Sequence, residues 1–166
     1  MTGADRGALC TLTSIDRLDA DIIEQLTVHP RMGLVEVARR LGVARGTVQA
    51  RMAKLAERGA VTGFGPQVDP AAIGYPVLAF IFLEIAQGRL AEAVERLEEL
   101  PEVLEAYGTT GPRDLLVRVV ARDNEHLQEI INAILQTSSV RRSTSTIAMS
   151  RQIAPRALPL VRAAVA

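Results

Sequence analysis

Aromatic side chains are scarce in this chain: no tryptophan, two tyrosines and three phenylalanines among 166 residues. That is too few to build the stacking platform on which single-strand nucleic-acid binders hold successive bases. Cysteine is scarcer still, and Cys10 alone excludes an internal disulfide framework. The only histidines, His29 and His126, fall on different predicted domains, so no metal-ligand spacing results. Net charge is absent too, with 19 basic and 19 acidic residues. No apolar run reaches the roughly 18 residues of a membrane span. The first residues, MTGADRGALCTLTS, lack the positive-then-apolar pattern of a secretory signal. The expectation is a cytoplasmic protein with no membrane partner. The glycines are dispersed rather than gathered into a phosphate loop, and Ser, His and Asp show no triad-like arrangement. Neither an enzyme nor a metal or cofactor is expected.

What is present is an apolar fraction near one half, enough for a real core, and a marked local pattern. In residues 34–64, Leu34, Ala38 and Leu41 recur at i, i+4 and i+7, one apolar helical stripe. Gly42 interrupts it, as a residue able to take positive φ at a helix C-terminus does. Val48, Met52 and Leu55 repeat the spacing, and Gly59 ends it. Two short amphipathic helices joined by a tight glycine-containing turn describe a helix–turn–helix. Residues 34–58 hold six basic side chains and two acidic ones, a local net of plus four hidden inside the neutral total. A helix with one face packed and a basic flank fits the major groove of double-stranded DNA. Its early residues Arg45, Thr47 and Gln49 are placed to read bases, and Arg51 and Lys54 to hold phosphates. The weak overall charge predicts modest affinity per subunit, so oligomerisation would help.

Residues 1–14 have no period and read as a flexible extension. Asp16 suits a helix N-cap, Asp19 puts a carboxylate in the first turn, and Leu18, Ile22 and Leu26 supply a buried stripe. Adding the extended piece Val61 to Gln67 makes residues 15–67 a winged helix–turn–helix domain. Residues 68–76 (VDPAAIGYP) read as a linker. Beyond them Val77 to Ile85 is a nearly continuous apolar strand, followed by an amphipathic helix over 89–100, strands over 103–110 and 114–121, a helix over 123–137 and a strand from Val140. The order βαββαβ over 77–150 is the ferredoxin-like sandwich, so the fold class is α+β. Both helices of such a sandwich cover one sheet face; the run 77–85 then lacks a partner on the other, and a homodimer packed sheet against sheet supplies it. Residues 151–166 carry Pro155 and Pro159, which forbid a long helix, and read as a packed tail or a short helix from Pro159.

Three stretches stand out together: the run Ile15–Asp19 with Ile22, Ile23 and Leu26; the residues Gly42, Val43, Val48, Arg51, Leu55, Glu57, Gly59, Val61, Gly63 and Phe64; and the turn Gly111 to Leu115. They resemble, in that order, the first-helix signature, the recognition helix with its exit, and the second-domain turn of the leucine-responsive regulatory protein (Lrp/AsnC, feast/famine) family of transcriptional regulators, a resemblance that covers about residues 15–150. The resemblance implies sequence-specific DNA binding in which Arg31 joins the contacting set. It implies dimers that assemble into octamers, and an amino-acid effector bordered by Thr110, Gly111, Arg113 and Asp114, with Ser143 and Ser145 on the last strand. Asp114 would meet the ammonium of such a ligand, and backbone N–H groups near Gly111 its carboxylate. Taken alone, Gly111 and Asp114 make a hairpin turn. The chain departs from the family at Ala44, where a Ser caps the recognition helix, at Gly33, a weak cap for the helix before it, and at Ser143 and Ser145, where the family has Thr-x-Thr. Two other functions compete: an architectural DNA-binding protein with little sequence preference, and a metabolite-binding regulatory subunit.

Overall fold

The computed structural model describes residues 15–166, so the extension expected at 1–14 and Cys10 lie outside the described residues. The described residues form two compact units, one built from residues 15–66 together with 154–166, the other from 67–153. No helix among the described residues is long and apolar enough to cross a membrane.

The first unit is three helices around a small core. Helix α1 (Arg17–Val28) starts at a complete capping box: Asp16 Oδ1 accepts the Asp19 N–H at 2.9 Å, and Asp19 Oδ2 accepts the Asp16 N–H at 3.2 Å. Helix α2 (Leu34–Leu41) ends at Gly42, whose φ of 67° lets the Val43 N–H return to the Ala38 carbonyl at 3.0 Å. Helix α3 (Arg45–Glu57) follows at once and buries Val48, Met52 and Leu55 against Ile22, Val37 and Ala38. Neither Gly33 nor Ala44 offers a side chain to cap its helix. The expected wing differs: Val61 to Gln67 forms no strand and joins no ladder. Gly63, Gly65 and Pro66 leave too little β-forming surface and one donor short for pairing.

The tail is a short helix, α6 (Leu158–Ala163), with Pro159 in its first turn, where a missing N–H costs nothing. It packs on α1, and Arg162 pairs with Glu24.

The second unit is a four-stranded antiparallel sheet in the order β2-β3-β1-β4, formed by β1 (Val77–Ile85), β2 (Val103–Gly108), β3 (Leu115–Ala121) and β4 (Val140–Ile147). Helices α4 (Leu90–Glu98) and α5 (Asn124–Leu135) cover one face. Along β1 burial alternates: Ala79, Ile81, Leu83 and Ile85 enter the core with Leu97, Leu127 and Ile134, while Leu78, Phe80 and Phe82 point to the helix-free face and stay half-buried. Residues 68–76, expected as a linker, fall within the second unit and contain one 3₁₀ turn, Ala71–Ile73, closed by Gly74 at φ 97°.

Candidate functional site

In the first unit the outward surface of α3 carries Arg45, Thr47, Gln49 and Lys54, all exposed. Between them lie exposed Gly46, Ala50 and Ala53, so the helix cylinder is low there and a nucleic-acid edge can approach its backbone. Arg31, just before α2, is exposed as well. The cations of this region divide by partner. Arg39 Nη2 and Arg40 Nε hold Glu36 at 2.6 and 3.2 Å, and those two guanidinium groups, Arg39 first, draw the Glu36 carboxyl down to about 2. Arg45, Lys54 and Arg58 pair with no acidic group among the described residues and remain available to phosphates.

Arg51 departs from expectation. It lies about 60° around the helix from buried Val48, so its stem runs along the unit's own surface rather than outward. Its Nη1 donates to Asp16 Oδ2 and, at 3.2 Å, to Asp19 Oδ1, the two carboxylates that cap α1. The Asp19 N–H and then Arg51 hold the Asp16 carboxyl below the usual carboxylate range. Arg51, expected to hold a phosphate from its helical position, is thus engaged inside the unit by an ion pair.

In the second unit a pocket of about 500 Å³ opens where the β1–α4 loop meets the β2–β3 turn. Ile85, Ala86, Gln87, Gly88 and Leu90 form one wall; Gly108, Thr109, Thr110 and Asp114 form the other. Asp114 ties the walls together. Its Oδ2 accepts the Ile85 N–H at 2.6 Å, its own N–H donates to Leu83 O at 2.9 Å, and its carbonyl accepts the Thr109 N–H at 2.9 Å. The Thr109 hydroxyl donates to Arg113 O at 2.7 Å, and Gly111 turns the chain at φ 104°, a left-handed conformation that glycine adopts without strain.

Of the residues anticipated for a ligand, Thr110 and Asp114 line the pocket and Gly111 shapes its edge. Arg113 does not line it; its guanidinium reaches Glu84 and Thr144, each at 3.4 Å, on the helix-free side of the sheet. Ser143 and Ser145 do not line it either. They sit on edge strand β4 opposite Leu83 and Ile81, on the helix side. The wall from Ile85 to Leu90 escaped sequence reasoning. Its one signal was Gly88 (φ 76°), the punctuation between a strand and a helix.

Both halves match known families: the AsnC-type helix-turn-helix domain over residues 15–56, and the Lrp/AsnC ligand binding domain over residues 78–158. The regulatory protein AsnC of Escherichia coli is 35% identical over 134 residues, 80% of this chain and 88% of that one. The solved structure of E. coli AsnC aligns with a TM-score of 0.80 at 32% identity, covering 87% of this chain and 99% of the other. The HTH-type transcriptional regulator FL11 of Pyrococcus horikoshii is 30% identical over 146 residues, 88% and 97% of the two chains. With two helices crossing at Gly42 in the first unit and a ligand-sized pocket in the second, the chain belongs to the Lrp/AsnC family of transcriptional regulators.

Proposed function

We propose that α3 enters the major groove of double-stranded DNA with Arg45, Thr47 and Gln49 at base edges, while Lys54, Arg58 and Arg31 neutralise phosphates. One observation carries this reading: Arg45 and Gln49 on one flank of the exposed half of α3, and Thr47 and Lys54 on the other, are all exposed, and Arg45 and Lys54 have no acidic partner among the described residues. Arginine and glutamine at such positions suit bidentate contacts to guanine and adenine. The sheet's half-buried Phe80 and Phe82 face a second copy of the chain, giving a dimer that places two reading heads on two half-sites and serves as the unit of a larger, octameric assembly.

The second unit then acts as the sensor. An α-amino acid enters the pocket with its ammonium at the free oxygen of Asp114 and its carboxylate at backbone N–H groups of the Thr110–Gly111 turn. It shifts DNA affinity only through unequal affinity for the two states of the assembly.

The test is fluorescence anisotropy with a duplex selected by the protein from a random pool, against a scrambled duplex, across a salt series. Lys54→Ala is expected to weaken both duplexes and lower the salt slope by about one, whereas Gln49→Ala weakens only the selected duplex. Equal wild-type affinity for both duplexes would favour the architectural reading. An unchanged slope for Lys54→Ala would remove Lys54 from the phosphate set.

A further inference from the structure

The cleft between the start of α1 and the C-terminal half of α3 holds about 180 Å³ and is lined by Asp19, Arg51, Lys54, Leu55 and Arg58. Three cations on one cleft wall would read as a phosphate seat, but the charges do not act as three. Two carboxylates against one guanidinium leave the trio Asp16–Asp19–Arg51 with a net negative charge. Every oxygen of those carboxylates is engaged: Asp16 Oδ1 and Asp19 Oδ2 by the backbone of the capping box, Asp16 Oδ2 and Asp19 Oδ1 by Arg51. Asp19 is only 4% exposed, so its charge is held away from water with Arg51 as its counter-ion. A DNA phosphate that captured Arg51 would strand that charge.

We propose that Asp16 and Asp19 act as internal phosphate surrogates, withholding Arg51 from DNA so that it serves as a positioning residue fixing α3 against α1. The effect is on specificity. Phosphate contacts raise affinity for every sequence alike, whereas base contacts distinguish sequences. A cation removed from the phosphate set lowers the sequence-independent share of binding. The same pair fixes the angle at which Arg45, Thr47 and Gln49 meet the bases. That bond matters more here because α3 has no side-chain cap at Ala44 to define its start. Arg51 is thus a strut, and Lys54 and Arg58 beside it carry the phosphates.

The inference rests on the DNA-binding reading, and the experiment separates the two. The full-length double variant Asp16→Asn with Asp19→Asn keeps an acceptor at both positions of the capping box and removes both negative charges that hold Arg51. Arg51→Ala removes the strut. Affinity for the selected and scrambled duplexes is measured for both variants and the wild type across salt, with circular dichroism as the check on folding. D16N/D19N is expected to bind both duplexes more tightly and to gain about one in salt slope, so that its affinity falls roughly fourfold further than wild type between 50 and 200 mM salt. R51A is expected to keep the wild-type slope while losing preference for the selected duplex. A D16N/D19N slope equal to wild type, or an R51A slope lower by about one, overturns the proposal. D16N/D19N decides alone if R51A does not fold. Failure of the wild type to bind any duplex would instead count against the DNA-binding reading itself.

Discussion

Asp114 is where turn chemistry and ligand chemistry separate, because asparagine and alanine remove different things. One oxygen of Asp114 accepts the Ile85 N–H at 2.6 Å and so joins the two walls of the pocket. A hydrogen bond to a charged group contributes about 1.5–3 kcal/mol net. Asp114 is exposed, so water replaces part of what alanine deletes, and a loss of about 1–2 kcal/mol is expected. For a unit of this size that lowers the midpoint by roughly 4–8 °C per kcal/mol. Asparagine retains an acceptor for Ile85, so Asp114→Asn should melt close to wild type. Ligand binding should not follow the same pattern. An ammonium on the second Asp114 oxygen is worth about 1.5–3 kcal/mol, or about ten- to a hundredfold in affinity, and both variants lose it. Calorimetric titration of the wild type with the twenty amino acids identifies the ligand. The same titration of both variants, with scanning calorimetry alongside, then measures the two effects apart. An Asp114→Asn protein that binds as tightly as wild type would show that the carboxylate only closes the turn, and wild-type protein giving no heat with any amino acid would remove the ammonium from the argument.

Leu55 is 2% exposed in a small core, and Leu→Ala at such a site costs about 2–5 kcal/mol. Leu55→Ala should therefore abolish DNA binding and the first unit's calorimetric transition while leaving that of the sheet unit in place; a single common shift of both would show that the units do not melt separately. Phe82→Glu sets a carboxylate on the helix-free sheet face and should convert the assembly to monomers by light scattering, with weaker DNA binding. Identical masses for variant and wild type would exclude that face as the interface. Asp16 links the first unit's stability to pH. Its folded carboxyl lies below the unfolded value of 3.8, so its contribution is complete above that value and is lost as pH falls through the folded one. Midpoints taken from neutral pH down to about pH 3 should fall more steeply for wild type than for Asp16→Asn. Glu36, which titrates near 2 in the fold, contributes equally to both proteins and cancels.

Much of this molecule was legible in residue order because the physics is local. Periods of 3.6 and 2 residues set α1 to α5 and the four strands near their expected places, Asp16 announced a cap, and Gly42 announced a turn. Each of those signals acts within a few residues of itself. Only the tertiary structure decided what distant side chains do to one another. Arg51 finds its carboxylates 32 and 35 residues away and ceases to be an outward cation. Arg162 reaches Glu24 across 138 residues, so the tail joins the N-terminal unit instead of trailing from the sheet. Arg113 turns to one side of the sheet while Asp114 bonds toward the other, because neighbouring residues at a strand's entrance diverge and a Leu83–Ile85 edge waits on one side only. Periodicity specifies which side of an element is apolar; the partner that meets its polar side is chosen by where the chain returns in space.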